Sequence, residues 1–527
     1  MPAANPLREA LQERRFCYVV ELVATRLTRE AKLLEVASHL AQVPGVVAGS
    51  ITSYAGGALG HDPIRVGTAA RARGLNPNIH LTCVNRTRAE AQRALEDLHA
   101  LGIQNVLALT GDYPKGKEGS AAAAFELDSV QLVALIREMR EAGRDFCVGV
   151  AVSPFKYVEA DCVYQYLKLE KKIAAGADYA VTQLGFDARK FRELKTYLEE
   201  RNSQTPVLGN VYVLPAKAAE KMAKGEPPGC WVGPELLRQI QEETQSADKG
   251  LAARLERAAR MVAVVRGLGY AGAYLGGEHR ADRVRWIIRR SEALAPRWQE
   301  FAEEFSYAPR NPFYLFPLAP AGHKSAPAHD MNSAATPAKR AKRPPLPRML
   351  DALGRLFPVK REGKLRGLLR GFFRWIDKSR VLERGVERLE FAIKRPLFGC
   401  QACGNCVLGT LEYVCPQTCP KNLRNGPCGG TLLGRCEVVD KPCIWTEVYS
   451  RAKAAKRVAD LRIYVPPRNL ALQGISSWVN YFLERDNRPE HAVRLYWPAP
   501  APQAHRSDAL PSSPESKSGD EAHRSLR

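Results

Sequence analysis

From Phe16 to about Arg290 short β-rich runs alternate with longer helical runs, and this alternation constrains the fold more than any other feature of the chain. The runs are CYVVEL (17–22), VVAGSI (46–51), NIHLTC (78–83), NVLALT (105–110), FCVGVAV (146–152), YAVTQL (179–184), VLGNVYVL (207–214) and AGAYLG (271–276). Strands separated by helices favour a parallel α/β sheet, because the crossover that returns to a parallel neighbour needs a helix. After the first run, Thr28 is placed to cap a helix reaching Ala41, with Leu33, Leu34, Ala37 and Leu40 on one face. Eight such units predict a TIM (β/α)8 barrel. An open doubly wound sheet is the alternative, but no G-x-G-x-x-G follows the first strand.

The barrel accounts for residues 1–310 of 527, and a chain of that length exceeds a single core. Hydrophobic residues at 45% and charged residues at 25% exclude a wholly disordered chain. No uncharged apolar run is long enough to span a membrane, and MPAANPLREALQERRF lacks the apolar centre of a secretory signal, so a cytoplasmic location is expected. Residues 311–395 read as an Ala/Pro-rich basic linker followed by amphipathic helices, with 19 Lys and Arg against 7 Asp and Glu. That segment carries +12 of the chain's +22. A cysteine-rich domain is expected over 396–497, with a helix near Glu447–Leu461, and a Pro/Ser-rich disordered tail over 498–527.

Catalytic side chains of such barrels stand at the C-terminal ends of strands. Glu21, Thr52, His80, Asp112 and Gln183 fall at or near those ends. Singly each is an ordinary cap or turn residue; together they would converge on one mouth, where burial can tune a carboxylate for acid–base work.

Three strings carry a resemblance: HLTC (80–83), ALTGDYP (108–114) and KKIAAGADYAVTQLGFD (171–187). Together they resemble the methylenetetrahydrofolate reductase family over roughly residues 10–305. The resemblance implies a flavin-bearing barrel acting on folate. It implies Glu21 as the general acid that opens the substrate, Asp112 beside the flavin and the folate, and Gln183 on the pterin. It places Thr52, His80, Lys172 and Ala177, with Asp112, around the flavin. Lys172 could instead be an exposed helical lysine. The sequence departs from the family's wording at ELVATR (21–26), Thr110 and SPFKYVEA (153–160), which leaves FAD and FMN both open.

Eight of the 13 cysteines lie in 44 residues: Cys400, Cys403, Cys406, Cys415, Cys419, Cys428, Cys436 and Cys443. In a cytosolic chain such density favours a metal site over disulfides. C-x2-C-x2-C with a later Cys-Pro step suits a [4Fe-4S] cluster, eight thiolates could form two four-ligand sites, and zinc also uses C-x2-C pairs. The repeated spacing leans toward iron–sulfur. CPKNLRNGPCGG (419–430) resembles the cysteine-rich C-terminal domain that accompanies some methylenetetrahydrofolate reductases. Where that domain is a separate subunit the resemblance implies electrons arriving through iron–sulfur centres from a protein donor, so the donor here is expected to be either NAD(P)H or a protein.

The leading expectation is therefore flavin-dependent reduction of 5,10-methylenetetrahydrofolate to 5-methyltetrahydrofolate. A pterin-linked electron- or methyl-transfer protein and a non-catalytic zinc scaffold are the alternatives. The basic segment 339–395 lacks a nucleic-acid reading motif, so nucleic acid is a poor partner and an acidic electron-transfer protein a better one. Homo-oligomerisation is compatible with the sequence.

Overall fold

The structure is a computed structural model that describes residues 5–24, 29–52, 60–114, 124–316, 344–356 and 364–487. Eight parallel strands close a barrel in sequence order. They are β1 (Cys17–Val23), β2 (Val46–Thr52), β3 (Pro77–Thr82), β4 (Asn105–Leu109), β5 (Cys147–Val152), β6 (Tyr179–Thr182), β7 (Val207–Tyr212) and β8 (Gly272–Gly276). Each falls on one of the eight β-rich runs. The ring closes between β8 and β1, where Val19 lies opposite Tyr274. The first crossover helix runs Glu30–Leu40 and buries Leu33, Ala37 and Leu40. Its N-cap position is Arg29, and Thr28 lies outside the described residues.

Strand alternation sorts the barrel into two sets of side chains. On β1, Tyr18, Val20 and Leu22 pack outward against the helices, while Cys17 and Val19 point inward with Leu107, Cys147, Tyr179, Val181, Leu208 and Tyr274. The same alternation carries Glu21 inward, one step nearer the C-terminal end. Gly149 on β5 makes room for this interior: a Cβ there would lie 2.4 Å from the Tyr179 ring. The helix Pro6–Gln12 closes the N-terminal end with Leu7, Ala10 and Leu11.

Beyond the barrel come helices Pro345–Leu356, Lys364–Asp377 and Arg380–Phe398. The expected linker thus holds three helices, whereas residues 317–343 and the tail 498–527 lie outside the described residues. Residues 399–443 contain no α-helix or strand, only the 3₁₀ turn Pro416–Thr418 and isolated bridges. In place of one helix near Glu447–Leu461 the chain forms helix Ile444–Ala454 and, after a break at 455–457, the 3₁₀ turn Val458–Arg462.

The C-terminal residues pack directly on the barrel. Trp445, Val448, Tyr449 and Leu461 belong to the same apolar cluster as the barrel's outer layer. They cover the crossover helix Glu159–Ala175, which is therefore buried nearly all round although it carries Lys168, Lys171 and Lys172. Polar contacts fix the docking. Asp128 Oδ1 caps the helix Ser129–Glu141, and Asp128 Oδ2 accepts from the backbone of Arg424 and Asn425 and from Asn425 Nδ2 at 3.0–3.2 Å. Asp161 accepts from Gly434 N at 2.8 Å, and Glu170 pairs with Arg462.

Candidate active site

At the C-terminal end of the barrel lies a cavity of about 680 Å³. Glu21, Thr52, His80, Asp112, Lys172 and Gln183 all line it. They reach it from β1, β2, β3, the turn after β4, the helix Glu159–Ala175 and the end of β6. Ala177 does not. It precedes β6 at the opposite end of the barrel, where its N–H donates to Lys172 O at 3.1 Å, so strand direction removes it from the mouth.

A chain of polar side chains runs inward from Glu21. Glu21 hydrogen-bonds Tyr274. Tyr274 OH lies 3.2 Å from His80 Nε2, which lies 2.8 Å from Ser50 Oγ. Asn78 Nδ2 donates to Ser50 Oγ at 3.0 Å, and Tyr179 OH donates to Asn78 Oδ1 at 3.2 Å. Buried polar groups need such partners, and a fully connected set holds each member in one orientation. His279 Nδ1, 3.1 Å from Glu21 O, ties down the end of β1.

Desolvation sets the charges. It pushes the Glu21 carboxyl up to about 7, with the Tyr274 hydrogen bond acting in the opposite direction. It lowers His80 to about 3, so the imidazole is neutral and serves as a bridge between hydroxyls. A carboxylic acid held near 7 can give up a proton at neutral pH.

Lys172 is neither an exposed helical lysine nor a free cation. It is buried, its Nζ donates to Ala151 O at 2.6 Å, and burial followed by repulsion from Lys168 lowers it to about 7. Gln183 sits at the strand end, its N–H bonded to Val152 O at 2.7 Å. Ser153 Oγ and Asn210 Oδ1 also belong to cavity-lining residues and are buried without a partner. A polar ligand would satisfy them, so the lining fits a heterocycle bearing hydrogen-bond donors and acceptors.

One wall comes from the C-terminal domain. Lys421, Pro427, Cys428, Gly429 and Gly430 line the same cavity. Lys421 Nζ donates to Gly111 O at 2.8 Å and pairs with Glu437, which ties the CPKNLRNGPCGG segment to the Gly111–Asp112 turn. Lys168 Nζ donates to Gly426 O and Pro427 O at 3.1 and 2.9 Å, and Lys156 Nζ to Gly429 O at 2.7 Å. The approach is close enough to demand glycine: at Gly229, with φ +82°, a Cβ would meet Gly429 O at 2.2 Å.

The eight cysteines are free thiols that fall into two groups. Cys400, Cys403, Cys406 and Cys415 line one small cavity of about 20 Å³. Burial pushes Cys415 up to about 11, and the other three thiols of the group add to the effect. In the second group, Cys419 lies within electrostatic reach of Cys436, and Cys428 and Cys443 lie within reach of Cys419. Among the described residues no three His, Cys, Asp or Glu side chains converge as a ready-made ligand set. Each group nevertheless supplies four sulfur donors, a number that suits a thiolate-ligated metal.

Sequence reading did not single out Tyr274, Ser50 or Lys421. Tyr274 was detectable by inward alternation on β8. Lys421 was not, because its place depends on docking across 310 residues of chain.

Known proteins bear on both regions. Residues 6–264 match the family model described as methylenetetrahydrofolate reductase, and residues 381–471 match methylene-tetrahydrofolate reductase C terminal. Methylenetetrahydrofolate reductase 2 of Schizosaccharomyces pombe is 34% identical over 146 residues, 26% of this chain and 22% of that protein. The probable methylenetetrahydrofolate reductase (NADPH) of Caenorhabditis elegans is 30% identical over 157 residues, 29% of this chain and 22% of that protein. The 5,10-methylenetetrahydrofolate reductase of Salmonella typhimurium is 34% identical over 119 residues, 22% of this chain and 37% of that protein. The chain thus spans 22% to 37% of the length of these three relatives.

Proposed function

From a chain that belongs to the methylenetetrahydrofolate reductase family and carries that family's C-terminal domain in the same polypeptide, we propose reduction of 5,10-methylenetetrahydrofolate to 5-methyltetrahydrofolate at the barrel mouth. The observation that supports this most is Glu21: an inward carboxyl held near 7 beside Tyr274, in a cavity that also receives Asp112 and Gln183. Glu21 gives its proton to the departing ring nitrogen, so the carbon–nitrogen bond breaks and the methylene carbon becomes an iminium electrophile. Tyr274 then stabilises the carboxylate left behind. Asp112 sets the charge beside the reacting ring system, and Gln183 orients the pterin through its amide.

Thr52, His80, Asp112 and Lys172 would hold a flavin, FAD or FMN, with Ser153 and Asn210 satisfied by it. A bound reduced flavin would supply the hydride.

The two cysteine groups are proposed as two four-thiolate sites, for iron–sulfur clusters or zinc. A second reading of the electron source follows from one observation: Cys428 lines the cavity itself. Electrons from a protein donor would then enter through the cysteine sites, and NAD(P)H would not be used directly.

Absorbance of anaerobically purified protein, with iron and zinc analysis, distinguishes flavin from none and cluster from zinc. Glu21→Gln should slow the flavin–folate half-reaction by about 100-fold or more while leaving flavin reduction unchanged. A wild-type folate rate in that variant would remove Glu21 from its role. Rapid bleaching of the flavin by NADH would refute the protein-donor reading.

A further inference from the structure

The helix Lys364–Asp377 packs Phe373 and Ile376 onto Val479 and Phe482, and the Phe373 and Phe482 rings stack with centroids 4.7 Å apart. Its apolar surface does not stop there. Leu365, Leu368, Phe372 and Trp375, each between 41% and 72% exposed, recur at i, i+3, i+7 and i+10 and form a second stripe along the helix. The next helix, Arg380–Phe398, repeats the pattern with Leu389, Ile393 and Leu397 exposed four residues apart.

The charged side chains exposed beside these stripes are all basic. Arg374, Lys378, Arg380, Arg384, Arg388 and Arg395 are exposed, whereas Asp377, Glu383 and Glu387 are half-buried and Glu390 is buried. Asp377 is paired with Arg485, and Glu390 with Lys394, Ser476 and Ser477. Among described residues 365–398, therefore, no acidic side chain is exposed.

We propose that these two helices form a peripheral docking surface for an anionic lipid bilayer, inserting the apolar stripes at headgroup level while the arginines meet lipid phosphates. Charge selects this occupant. A second copy would bring the same positive face and be repelled. The chain's own undescribed segments do not neutralise it, since residues 317–343 carry five Lys and Arg against one Asp, and residues 488–527 carry six against five Asp and Glu. An acidic protein would satisfy the arginines as well, but exposed apolar stripes on two helices flanked by arginines with no exposed carboxylate favour the bilayer. Interfacial helices combine these two elements, apolar burial and attraction to anionic headgroups. No helix among the described residues is long and apolar enough to cross a membrane, so the contact is with the surface.

The test uses the full chain with vesicles of pure phosphatidylglycerol and of pure phosphatidylcholine, read by co-sedimentation. The chain should partition onto phosphatidylglycerol at least about tenfold better than onto phosphatidylcholine, and salt should weaken the binding. The double variant L368S/W375S, changed only at exposed positions, should lose about tenfold in partition. R374Q/R384Q should lose a similar factor. Far-UV circular dichroism and the thermal transition establish that both variants fold, and L368S alone serves if the double variant does not. No partition of the wild type overturns the proposal. So does binding that salt weakens but L368S/W375S leaves unchanged, which would assign the face to a simple polyanion or an acidic protein. Self-association abolished by L368S/W375S would assign it to a second copy and overturn it equally.

Discussion

In the barrel, position along a strand decides environment. Val19 faces in and Val20 faces out because strand geometry alternates. Across residues 399–443 no such rule operates. The chain there is irregular, and Thr431 Oγ1, Glu437 Oε2 and two guanidinium nitrogens of Arg424 are buried without partners. What fixes this segment is contact with the barrel: Asp128 on Asn425, Lys168 on Gly426 and Pro427, Lys156 on Gly429. The barrel organises itself from local periodicity, and the cysteine segment takes its order from an outside template and, on the reading proposed above, from metal. An architecture of this kind puts the less regular element where it can form part of the site.

The largest expected effect tests the metal half of this contrast. Cys403→Ser should release metal from the first site and unfold the C-terminal domain, since a four-thiolate site can contribute about 10 kcal/mol to folding. Metal analysis and near-UV circular dichroism read the result, and retention of both would place the segment's order in the barrel contacts alone.

Asp128→Ala removes a helix cap and strands two backbone N–H groups and an amide of the docked segment. A loss of about 3 kcal/mol in urea unfolding is expected. A loss below about 1 kcal/mol would show that the docking does not depend on this carboxylate.

Gly229→Ala and Gly225→Ala make a matched pair, because both positions have φ +82° but nothing lies within 4 Å of a Cβ at Gly225. Both should lose about 1 kcal/mol to backbone strain. Gly229→Ala should lose about 1–3 kcal/mol more if the approach of Gly429 is rigid. Equal thermal shifts would show that the C-terminal wall yields.

A further effect, comparable to that of the glycine pair, is in pH dependence. Folding raises Glu21 above its ordinary value to about 7, so the folded state favours the protonated form. Its contribution to stability is present below the unfolded carboxylate range and is lost as pH rises through about 7. Glu21→Gln should therefore gain stability relative to wild type on going from pH 5 to 8, as read by urea midpoints. An unchanged difference across that window would mean the carboxyl is not desolvated.

The eight strands were legible because each carries its own β-rich run, and Glu21, Thr52, His80, Asp112 and Gln183 were legible because strand ends in such a barrel share one face. Ala177 was misplaced because a residue before a strand belongs to the opposite end. For Lys172 the sequence left cavity and exposed surface both open, because periodicity on a crossover helix says nothing of a second domain lying over it. Tyr274 shows a nearer miss: its inward direction follows from alternation, but its partners Glu21 and His80 lie 253 and 194 residues away.

By itself the sequence determined the βα repeat, the strand ends that carry polar groups, and the dense run of eight cysteines, since each is written in short-range spacing. The tertiary structure alone decided that Glu21 is desolvated, that Lys172 is buried, and that Lys421 and Cys428 stand in the barrel's mouth. Those facts depend on which distant surfaces exclude water from one another, and burial between surfaces far apart in the chain leaves no local pattern to read.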